Sequence, residues 1–506
     1  MDFEVVFDKE REGFDADAVH AKLVEIFGEE NVSRDEVDQF VYSKDYTLIT
    51  TRWTLDGKLA AKPDFVVWPG STEEISELLR FVSEEVRVPV IPFGEGSGVV
   101  GGALPIFGGI VVDMKRMDQL LEINGTNLTA RVQAGKNGWN LERELNQAGY
   151  TLGHVPQSVY TSSLGGYVAH RAAGQFSTKY GKIEDMVMAL EAVLPTGDVV
   201  RSKPSPRSST GPQVDKLLVG SEGTLGVVTE VTLRIWPAPE KRAMASYAFD
   251  RVEDALESIR QVLRRQANPA VVRIYDHDET SRHFYDEPKA KKRCMVVFVC
   301  EGYGPVVDVE VDTVRKFCER NGGVDCGEGP VEHWFETRFN VSESSKFPPI
   351  GVVADTIEVS VMWDRAAELY HSVIKAMKSV PGCLLATGHA SHFYPQGVCW
   401  YFTFGGTPVG DDTDWKFYRA VWDAATKATL DCGGSISHHH GVGVNRSHWM
   451  RREWGTMFPL LQRIKRCLDP KNVMNPGKLY EGEVDVGADG VARGPDAGRD
   501  EGGGAA

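Results

Sequence analysis

The 506-residue chain has no run of about 18 apolar residues, the length that a membrane-spanning helix requires. Its start, Met1-Asp-Phe-Glu4, lacks the basic residues and the apolar stretch of a signal peptide, so we expect a cytoplasmic protein. All eight cysteines lie from Cys294 onward without a C-x-x-C pair, which argues against a disulfide scaffold and a structural zinc site. The net charge of −16 argues against nonspecific binding of nucleic acid.

A glycine-rich loop follows the apolar run Val88–Ile91, and it reads Pro92-Phe-Gly-Glu-Gly-Ser-Gly-Val-Val-Gly-Gly102. Glycines let consecutive backbone N–H groups face one anion, as in sites that bind pyrophosphate. Gly96-x-Gly98-x-x-Gly101 matches the Rossmann fingerprint literally, but Pro105 and the strand-like Ile110–Asp113 follow where a helix should begin. We therefore exclude a Rossmann nicotinamide site, and a turn without any ligand is the alternative that this loop alone leaves open.

The rest of the pattern mixes helices and strands without the regular alternation of a doubly wound sheet, which predicts an α+β fold. Helical apolar spacing covers Ala18–Phe27 and Thr72–Glu85, with Ser71 placed as the cap of the second helix. Turn residues between apolar runs predict hairpins around Asn124-Gly125 and around Pro195–Asp198.

The segment Pro237-Ala-Pro-Glu240 marks a change of pattern, and beyond it an amphipathic helix is predicted over Val252–Arg264. From Glu481 onward the chain is rich in Gly, Asp and Ala, which predicts a disordered tail. Five segments are therefore expected: a helical segment 1–60, a cofactor-binding domain 61–240, a cap or substrate domain 241–430, a segment 431–480 that returns to the site, and the tail 481–506.

Two later segments again combine glycines with hydroxyls. One runs from Pro156 through Thr161-Ser-Ser-Leu-Gly-Gly166 into Ala169-His-Arg-Ala-Ala. The other is Gly220-Ser-Glu-Gly-Thr-Leu-Gly226, and it leads into a strand predicted over Val231–Trp236. Each of them alone is most often a turn.

The order and spacing of the three loops resemble the flavoproteins of the vanillyl-alcohol-oxidase type, with their PCMH-like FAD-binding domain. The resemblance implies a two-part FAD-binding domain and an α+β cap domain with an antiparallel sheet. It implies that the first loop holds the pyrophosphate, that the second lines the flavin and that the third completes the cleft. Some relatives carry a flavin-linking histidine where this chain has Gly96-Ser97, so non-covalent FAD is implied.

The resemblance assigns the following residues to FAD binding: Pro92, Gly94, Glu95, Gly96, Ser97, Gly98, Pro156, Ser158, Thr161, Ser162, Gly165, Gly166, Ala169, Arg171, Ala172, Ser221, Glu222, Gly223, Thr224, Gly226 and Val227.

Two histidine-rich segments stand out in the C-terminal half, one containing His389 and His392 and the other the triplet His438-His439-His440. On a strand, His438 and His440 would point one way and His439 the other, whereas the flanking glycines favour a loop that brings imidazoles to a ligand. Histidines with a purely structural role are the alternative. A metal site built from His389, His392 and the triplet is a further alternative that requires these side chains to converge in space, and we assign no metal from the sequence.

The triplet, the aromatic run from Tyr394 to Phe404 and Val272-Arg273-Ile274 resemble the alkylglycerone-phosphate synthase branch of the same superfamily. The resemblance implies that Arg273, Tyr401 and His438–His440 surround the flavin and serve catalysis. Arg273 as a surface ion-pair residue and Tyr401 as a core residue are the alternatives.

The chain departs from that branch at its substrate-binding arginine, because the corresponding stretch Asn340–Pro349 has no arginine and Lys346 is the nearest cation. Lysine offers a point charge where arginine offers a rigid fork. The ending Asp469–Leu479 resembles that of FAD-linked 2-hydroxyacid dehydrogenases, which have Glu-His-Gly where this chain has His439-His-Gly441. Lys346, His389 and His392 are the substrate-binding candidates.

These observations lead to one main hypothesis, an FAD-dependent oxidoreductase that oxidises a small anionic hydroxy compound, similar to a 2-hydroxy acid. Arg273 would hold the anion, a histidine of the triplet would take the hydroxyl proton, and hydride would pass to flavin N5. The alternative is a synthase-like transferase that forms an ether bond by redox-neutral flavin chemistry. A flavin-binding protein without catalysis is a third class. The electron acceptor is unknown, and a homodimer is compatible with every hypothesis.

Overall fold

The computed structural model describes residues 4–6, 14–340, 347–410, 413–480, 485–486 and 492–493. Lys346 and most of the predicted tail therefore lie outside the described residues. The α-helices are α1 (Ala16–Phe27), α2 (Glu36–Val41), α3 (Leu48–Leu55), α4 (Thr72–Phe81), α5 (Gly138–Gln147), α6 (Leu164–His170), α7 (Ser177–Tyr180), α8 (Ile183–Met186), α9 (Val252–Arg264), α10 (His277–His283), α11 (Gly304–Arg320), α12 (Gly329–Thr337), α13 (Ala366–Lys378), α14 (Asp414–Asp431), α15 (Met450–Trp454) and α16 (Phe458–Leu468).

The β-strands are β1 (Glu4–Val5), β2 (Val32–Ser33), β3 (Lys58–Leu59), β4 (Phe65–Val67), β5 (Val90–Phe93), β6 (Ile110–Asp113), β7 (Leu120–Asn124), β8 (Thr129–Gln133), β9 (Tyr150–Thr151), β10 (Val187–Val193), β11 (Val199–Arg201), β12 (Val227–Arg234), β13 (Trp236–Pro237), β14 (Lys241–Phe249), β15 (Val271–Tyr275), β16 (Cys294–Gly302), β17 (Val324–Asp325), β18 (Val353–Met362), β19 (Cys383–Phe393), β20 (Gly397–Gly406), β21 (Asp485–Val486) and β22 (Ala492–Arg493). Among the described residues, no helix has both the length and the apolar character needed to cross a membrane.

A small sheet near the N-terminus has the strand order β2-β4-β6-β5, with β4, β6 and β5 parallel. Its short strands are apolar and buried, and they pack against α1 and α4. The Ser71 side chain accepts the N–H of Glu74 and so caps α4 as predicted. That helix ends at Phe81 and continues as a single π-helical turn, so the predicted end at Glu85 belongs to a different helical geometry.

A five-stranded antiparallel sheet follows, with the order β11-β10-β12-β8-β7. It contains both predicted hairpins. Strand β12 begins at Val227, four residues before the predicted Val231, because Val227 and Val228 already pair with β10. No helix occurs between β5 and β6 among the described residues, in agreement with the exclusion of a Rossmann site.

The third sheet has seven strands in the order β17-β14-β16-β15-β19-β20-β18, and it carries the chemistry-bearing side chains. Side chains alternate between its two faces along each strand. On β20, Trp400, Phe402 and Phe404 point to a core shared with α9, α11, α13 and α14. Cys399, Tyr401 and Thr403 therefore point to the opposite face, where Val271 and Tyr275 of β15 pack with residues around α7 and the five-stranded sheet.

Candidate active site

One row of side chains crosses the polar face of the seven-stranded sheet. The register pairs Tyr275 with His389, His389 with Tyr401, and Tyr401 with Glu358, so these four residues lie side by side on neighbouring strands. The rings of His389 and Tyr401 stack at 4.6 Å between centroids and an angle of 13°. Arg273 lies opposite Ser391 in the adjacent row. The structure thus brings together Arg273, His389 and Tyr401, which lie in three separate segments of the sequence.

His392 reaches the same face because β19 is irregular at this point. The register shifts between Ser391 and Phe393, and His392 has a φ of 55°. Such a bulge places an extra side chain on one face of the sheet. His392 Nδ1 lies 2.6 Å from the Ser177 hydroxyl of α7, and its Nε2 lies 2.7 Å from the Tyr401 hydroxyl. Sequence reasoning did not identify Ser177, since a lone serine on a short helix carries no distinguishing pattern.

The histidine triplet lies in a loop that one buried carboxylate holds in place. The carboxylate of Glu358 accepts the backbone N–H of His438 at 2.6 Å and that of His440 at 2.8 Å. It also accepts a hydrogen bond from the Ser437 hydroxyl at 2.8 Å, and its Oε1 lies 3.3 Å from Nη1 of Arg446. The triplet therefore lies in a loop, as its flanking glycines indicated, and not on a strand, because turning two N–H groups toward one carboxylate bends the backbone. Glu358 has no local motif, so sequence reasoning missed it.

The side chains of this loop continue the hydrogen bonds that begin at Ser177. The Tyr401 hydroxyl lies 3.1 Å from Nε2 of His439, whose Nδ1 lies 3.0 Å from Nδ1 of His438. Nε2 of His438 in turn lies 2.8 Å from the Tyr394 hydroxyl. Hydroxyls and imidazoles therefore form one unbroken chain from α7 to the end of β19, with Tyr401 near its centre.

Burial sets the protonation states of these groups. It lowers the pKa of His392, His438 and His439 well below the usual value, with neighbouring cations and imidazoles adding to the effect. Burial likewise lowers the pKa of His440 to about 4. Burial also raises the pKa of Tyr401 well above its usual value. Neutral imidazoles and a neutral phenol are therefore expected at neutral pH, so these side chains carry no buried charge at rest.

Glu358 behaves differently although it is fully buried. Burial raises its pKa, but Arg446, His440 and the backbone N–H groups outweigh that effect, and the net shift is downward. The carboxylate therefore stays ionised and fixes the loop. Lys182, at the start of α8, donates to the carbonyl of His438, so the triplet loop is held from a second side.

The three predicted cofactor loops come together beside this cluster. Ser97 Oγ of the first loop lies 2.7 Å from Ser162 Oγ of the second. Glu222 of the third loop donates its N–H to Ala169, and its carboxylate accepts the N–H groups of Val442 and Gly443 next to the triplet. Gly102 packs so closely that a Cβ there would lie 2.6 Å from the His170 ring.

The first loop has the donors that a pyrophosphate needs. Within the described part of the chain, no protein acceptor pairs with the backbone N–H groups of residues 95–102. The loop is half-buried to buried, so consecutive donors without partners form an anion cradle rather than a solvated turn. The residues present therefore fit FAD. Arg171 is less suited to the assigned role, because its guanidinium is more than half exposed and pairs with Glu184.

A second arginine, Arg338, lies just before the stretch Asn340–Pro349, which corresponds to the position of the substrate-binding arginine in the synthase branch. Its guanidinium lies over the rings of Phe335 and Phe339 at 4.5 Å, and over Trp334 at 5.5 Å. Arg273 lies over the same Trp334 ring at 6.0 Å. Burial, followed by Arg242, lowers the pKa of Arg338 to about 10. The motif His333-Trp-Phe-Glu-Thr-Arg338, an arginine in a run of aromatics, is the signal that could have identified it.

Two family models match the chain: an FAD binding domain over residues 63–203 and the C-terminal domain of FAD linked oxidases over residues 238–479. An alkyldihydroxyacetonephosphate synthase of Caenorhabditis elegans is 34% identical, over 84% of this chain and 77% of the relative. An uncharacterized FAD-linked oxidoreductase of Escherichia coli strain K12, YgcU, is 31% identical over 92% and 98%. The glycolate oxidase subunit GlcD of Bacillus subtilis is 27% identical over 91% and 96%.

A solved alkyldihydroxyacetonephosphate synthase structure superposes with a TM-score of 0.78 at 25% identity, covering 93% of this chain and 87% of that one. This likeness and the matched FAD binding domain confirm the predicted fold class, a PCMH-type two-part domain followed by an α+β domain with an antiparallel sheet.

Proposed function

We propose that this chain, which belongs to the family of FAD-linked oxidases, oxidises a small anionic hydroxy compound of the 2-hydroxy-acid class. Membership of the family, enzymatic activity and the use of FAD follow from the two matched models and from relatives of 34% and 31% identity. The substrate class, the residue roles and non-covalent attachment of the cofactor are the parts that we propose.

The observation that carries the proposal is the pair of arginines on Trp334. Among the described residues, neither Arg273 nor Arg338 has a carboxylate within salt-bridge distance, although both are at least partly buried. A buried guanidinium without an anion is costly, and it is the usual receptor for a carboxylate or phosphate. Arg273 also donates to the Tyr275 hydroxyl at 3.0 Å, which fixes its side chain. We infer from their common contact with Trp334 that the two arginines could bind one anion, with Arg273 one strand row away from Tyr401.

The proton of the substrate hydroxyl would go to the chain of hydrogen bonds centred on Tyr401. Its hydroxyl contacts the neutral imidazoles of His392 and His439, either of which can accept a proton through it. Bound FAD supplies the acceptor for the hydride that leaves the same substrate carbon, so the alcohol becomes a carbonyl compound and the charges balance. His389 would stack on Tyr401 and restrict its ring to one orientation.

The comparisons with relatives also support the proposed substrate class and the proposed residue roles. One of them is named as a subunit of glycolate oxidase, and glycolate is itself a 2-hydroxy acid. The cap residues Arg273, Tyr401 and the triplet all fall within the segment that matches the C-terminal domain of FAD linked oxidases.

Anaerobic reduction of the flavin tests the proposal directly. A panel of 2-hydroxy acids of both chiralities is mixed with the holoenzyme, and bleaching of the flavin absorbance is followed. We expect at least one compound to reduce the flavin completely. If dithionite reduces the flavin but no member of the panel does, the proposed substrate class is wrong.

The arginine pair is tested by Arg338→Lys, which keeps the charge but loses the fork. We expect KM for the reducing hydroxy acid to rise about 10- to 100-fold with little change in kcat, because hydrogen bonds to charged groups contribute roughly 1.5–3 kcal/mol. Arg265→Lys is the matched control, since Arg265 also lies over an aromatic ring, that of Phe317, but on an exposed surface. Equal KM values for the two variants would remove Arg338 from the substrate site.

A second function is favoured by the histidine triplet beside Tyr401 and by the 34% identical relative named as a synthase. In that case the enzyme would exchange an acyl group for a fatty alcohol and form an ether bond without net oxidation. It would convert acyl-dihydroxyacetone phosphate and a long-chain alcohol with no electron acceptor present. Mass spectrometry of that mixture distinguishes the two functions, because the oxidoreductase yields no ether product.

A further inference from the structure

We propose that Glu358, Cys399, His438 and His439 form a binding site for one divalent transition-metal ion, with zinc as the matching metal. This inference goes beyond the proposed function and does not depend on it. The four residues come from β18, β20 and the triplet loop, and one ligand atom of each lies within 4.8 Å of the others. It is the one such group found among the described residues.

The donor atoms are of the types that zinc takes, and they lie close enough together for small side-chain shifts to bring them around one ion. Nδ1 of His438 lies 3.0 Å from Nδ1 of His439, and the latter lies 3.7 Å from a Glu358 oxygen. Zinc bonds of about 2.0–2.3 Å place neighbouring ligands roughly 3.3–3.7 Å apart in a tetrahedron. Cys399 comes to the same point because it lies on the same face of the sheet as Tyr401 and Glu358, one row away.

The protonation states favour metal binding. Both imidazoles are neutral at neutral pH, as metal ligands must be, and Glu358 is ionised. Cys399 is the exception, because burial raises the pKa of its thiol well above the usual value, and binding of the ion would have to release that proton to solvent as the thiolate forms. Oε1 of Glu358 already accepts from Ser437, His440 and Arg446. Oε2 accepts the N–H of His438 at 2.6 Å and that of His439 at only 3.4 Å, so the ion would take the place of this longer contact.

The outer partners of the two histidines follow the usual arrangement around a metal. Each imidazole that offers Nδ1 to the site has its Nε2 against a phenol, Tyr394 for His438 and Tyr401 for His439. A metal on both Nδ1 atoms would fix the remaining proton of each ring on Nε2. Tyr401 would then accept from His439 and donate to His392, so the ion would set the direction of the hydrogen bonds at the site.

Without an ion, the same contact is a hydrogen bond between two imidazoles, and the two explanations make different predictions. The FAD-loaded enzyme is stripped with a chelator, equilibrated with zinc alone and passed through gel filtration. Metal per flavin is then measured by mass spectrometry. We expect one zinc per chain. Zinc K-edge X-ray absorption should show one sulfur neighbour at about 2.3 Å and nitrogen or oxygen neighbours at about 2.0–2.1 Å.

Cys399→Ser should lose the sulfur signal and bind zinc at least tenfold more weakly. Cys300→Ser is the matched control, because Cys300 is equally buried in the same sheet but is not part of the four-residue group. Flavin content verifies that both variants fold. Absence of stoichiometric zinc in the wild-type enzyme, or zinc bound without a sulfur neighbour, overturns the proposal. The wild-type absorption spectrum decides this even if Cys399→Ser does not fold.

Discussion

The Tyr401 hydroxyl has one proton and two imidazole neighbours, so it donates to one of them and accepts from the other. Because a neutral imidazole also has one donor and one acceptor nitrogen, the whole chain from Ser177 to Tyr394 can run in either of two directions as long as no ion occupies the Nδ1 atoms of His438 and His439. Reversing the direction moves protons between neighbours without creating a buried charge. A group that must accept a substrate proton inside a buried site benefits from this property, and a fixed ion pair would lack it.

Asp355 shows how burial of one residue becomes a dependence of stability on pH. Its carboxyl group lies on the helix-covered side of β18, where the Tyr418 hydroxyl donates to it at 2.8 Å. Burial raises its pKa from 3.8 to about 6, with hydrogen bonds from neighbours opposing the shift. The folded state therefore favours the protonated form, and its contribution to stability is greatest below pH 4 and is lost as the pH rises through 6.

Asp355→Asn removes that dependence. We expect the melting temperature of the variant, relative to wild type, to rise between pH 4.5 and about 6.5 and then to level off, because the wild type loses up to roughly 3 kcal/mol as the pH passes from the unfolded to the folded pKa, at about 1.4 kcal/mol per pKa unit. Asp364→Asn, at an exposed carboxylate, is the control and should give a constant difference. A constant difference for Asp355→Asn as well would show that Asp355 is ionised in the fold at every pH tested. Thermal melts of the three proteins across the pH series provide the measurement.

At the scale of elements, the sequence predicted what depends on local periodicity. The helix over Val252–Arg264 and the two hairpins of the five-stranded sheet occur where alternating or helical apolar spacing placed them. The bulge at His392 was not predicted, since it depends on how β19 meets β20 rather than on the residues of β19 alone. The flanking glycines indicated a loop at the triplet, but the carboxylate that holds this loop was missed for a related reason, because Glu358 lies about 80 residues away in the chain.

The same distinction applies to the site. The cofactor loops have glycines at informative spacing, so their approach to one another could be inferred from a family resemblance. Arg338, Ser177 and Glu358 are single polar residues in ordinary elements, and only the fold shows what they contact. Sequence reasoning therefore identified the cofactor class better than the residues that hold the substrate and the loop.

The triplet loop depends on the carboxylate that holds it, and Glu358→Gln tests this. The amide loses the charge that faces Arg446 and presents an N–H group to backbone donors. Breaking a buried ion pair on one side costs about 3–5 kcal/mol, so we expect a marked fall in melting temperature.

Glu453→Gln is a suitable control for that variant. Glu453 also binds the start of this loop, through the Ser435 hydroxyl at 2.6 Å and the Ile436 N–H at 3.2 Å, but it is only half-buried. We expect at most a small change in its melting temperature. If both variants melt alike, the loop does not rely on the buried carboxylate.

At the scale of the whole molecule, the end of the chain joins the cofactor loops to one another. After α16 the chain returns to the small parallel sheet, where Asn475 donates its backbone N–H to Val90. Its side-chain amide donates to the carbonyl of Gly102 at 2.9 Å and to that of Glu222 at 2.7 Å. A single buried amide thus connects the first and third loops, and Lys478 adds a bond to the carbonyl of Leu104 at 3.0 Å.

This arrangement predicts that a residue far from the substrate position controls affinity for FAD. Asn475→Ala removes two hydrogen bonds, each with a net contribution of about 1 kcal/mol, so we expect the Kd for FAD to rise about 30-fold. Rebinding of FAD to the apoprotein, followed by quenching of flavin fluorescence, measures it. A chain that ends after Tyr480 keeps every contact of Asn475 and should bind FAD like the full chain. Weak binding by the shortened chain together with normal binding by Asn475→Ala would transfer the role to the residues beyond 480. The segment around Asn475 would then close the fold without controlling the affinity for FAD.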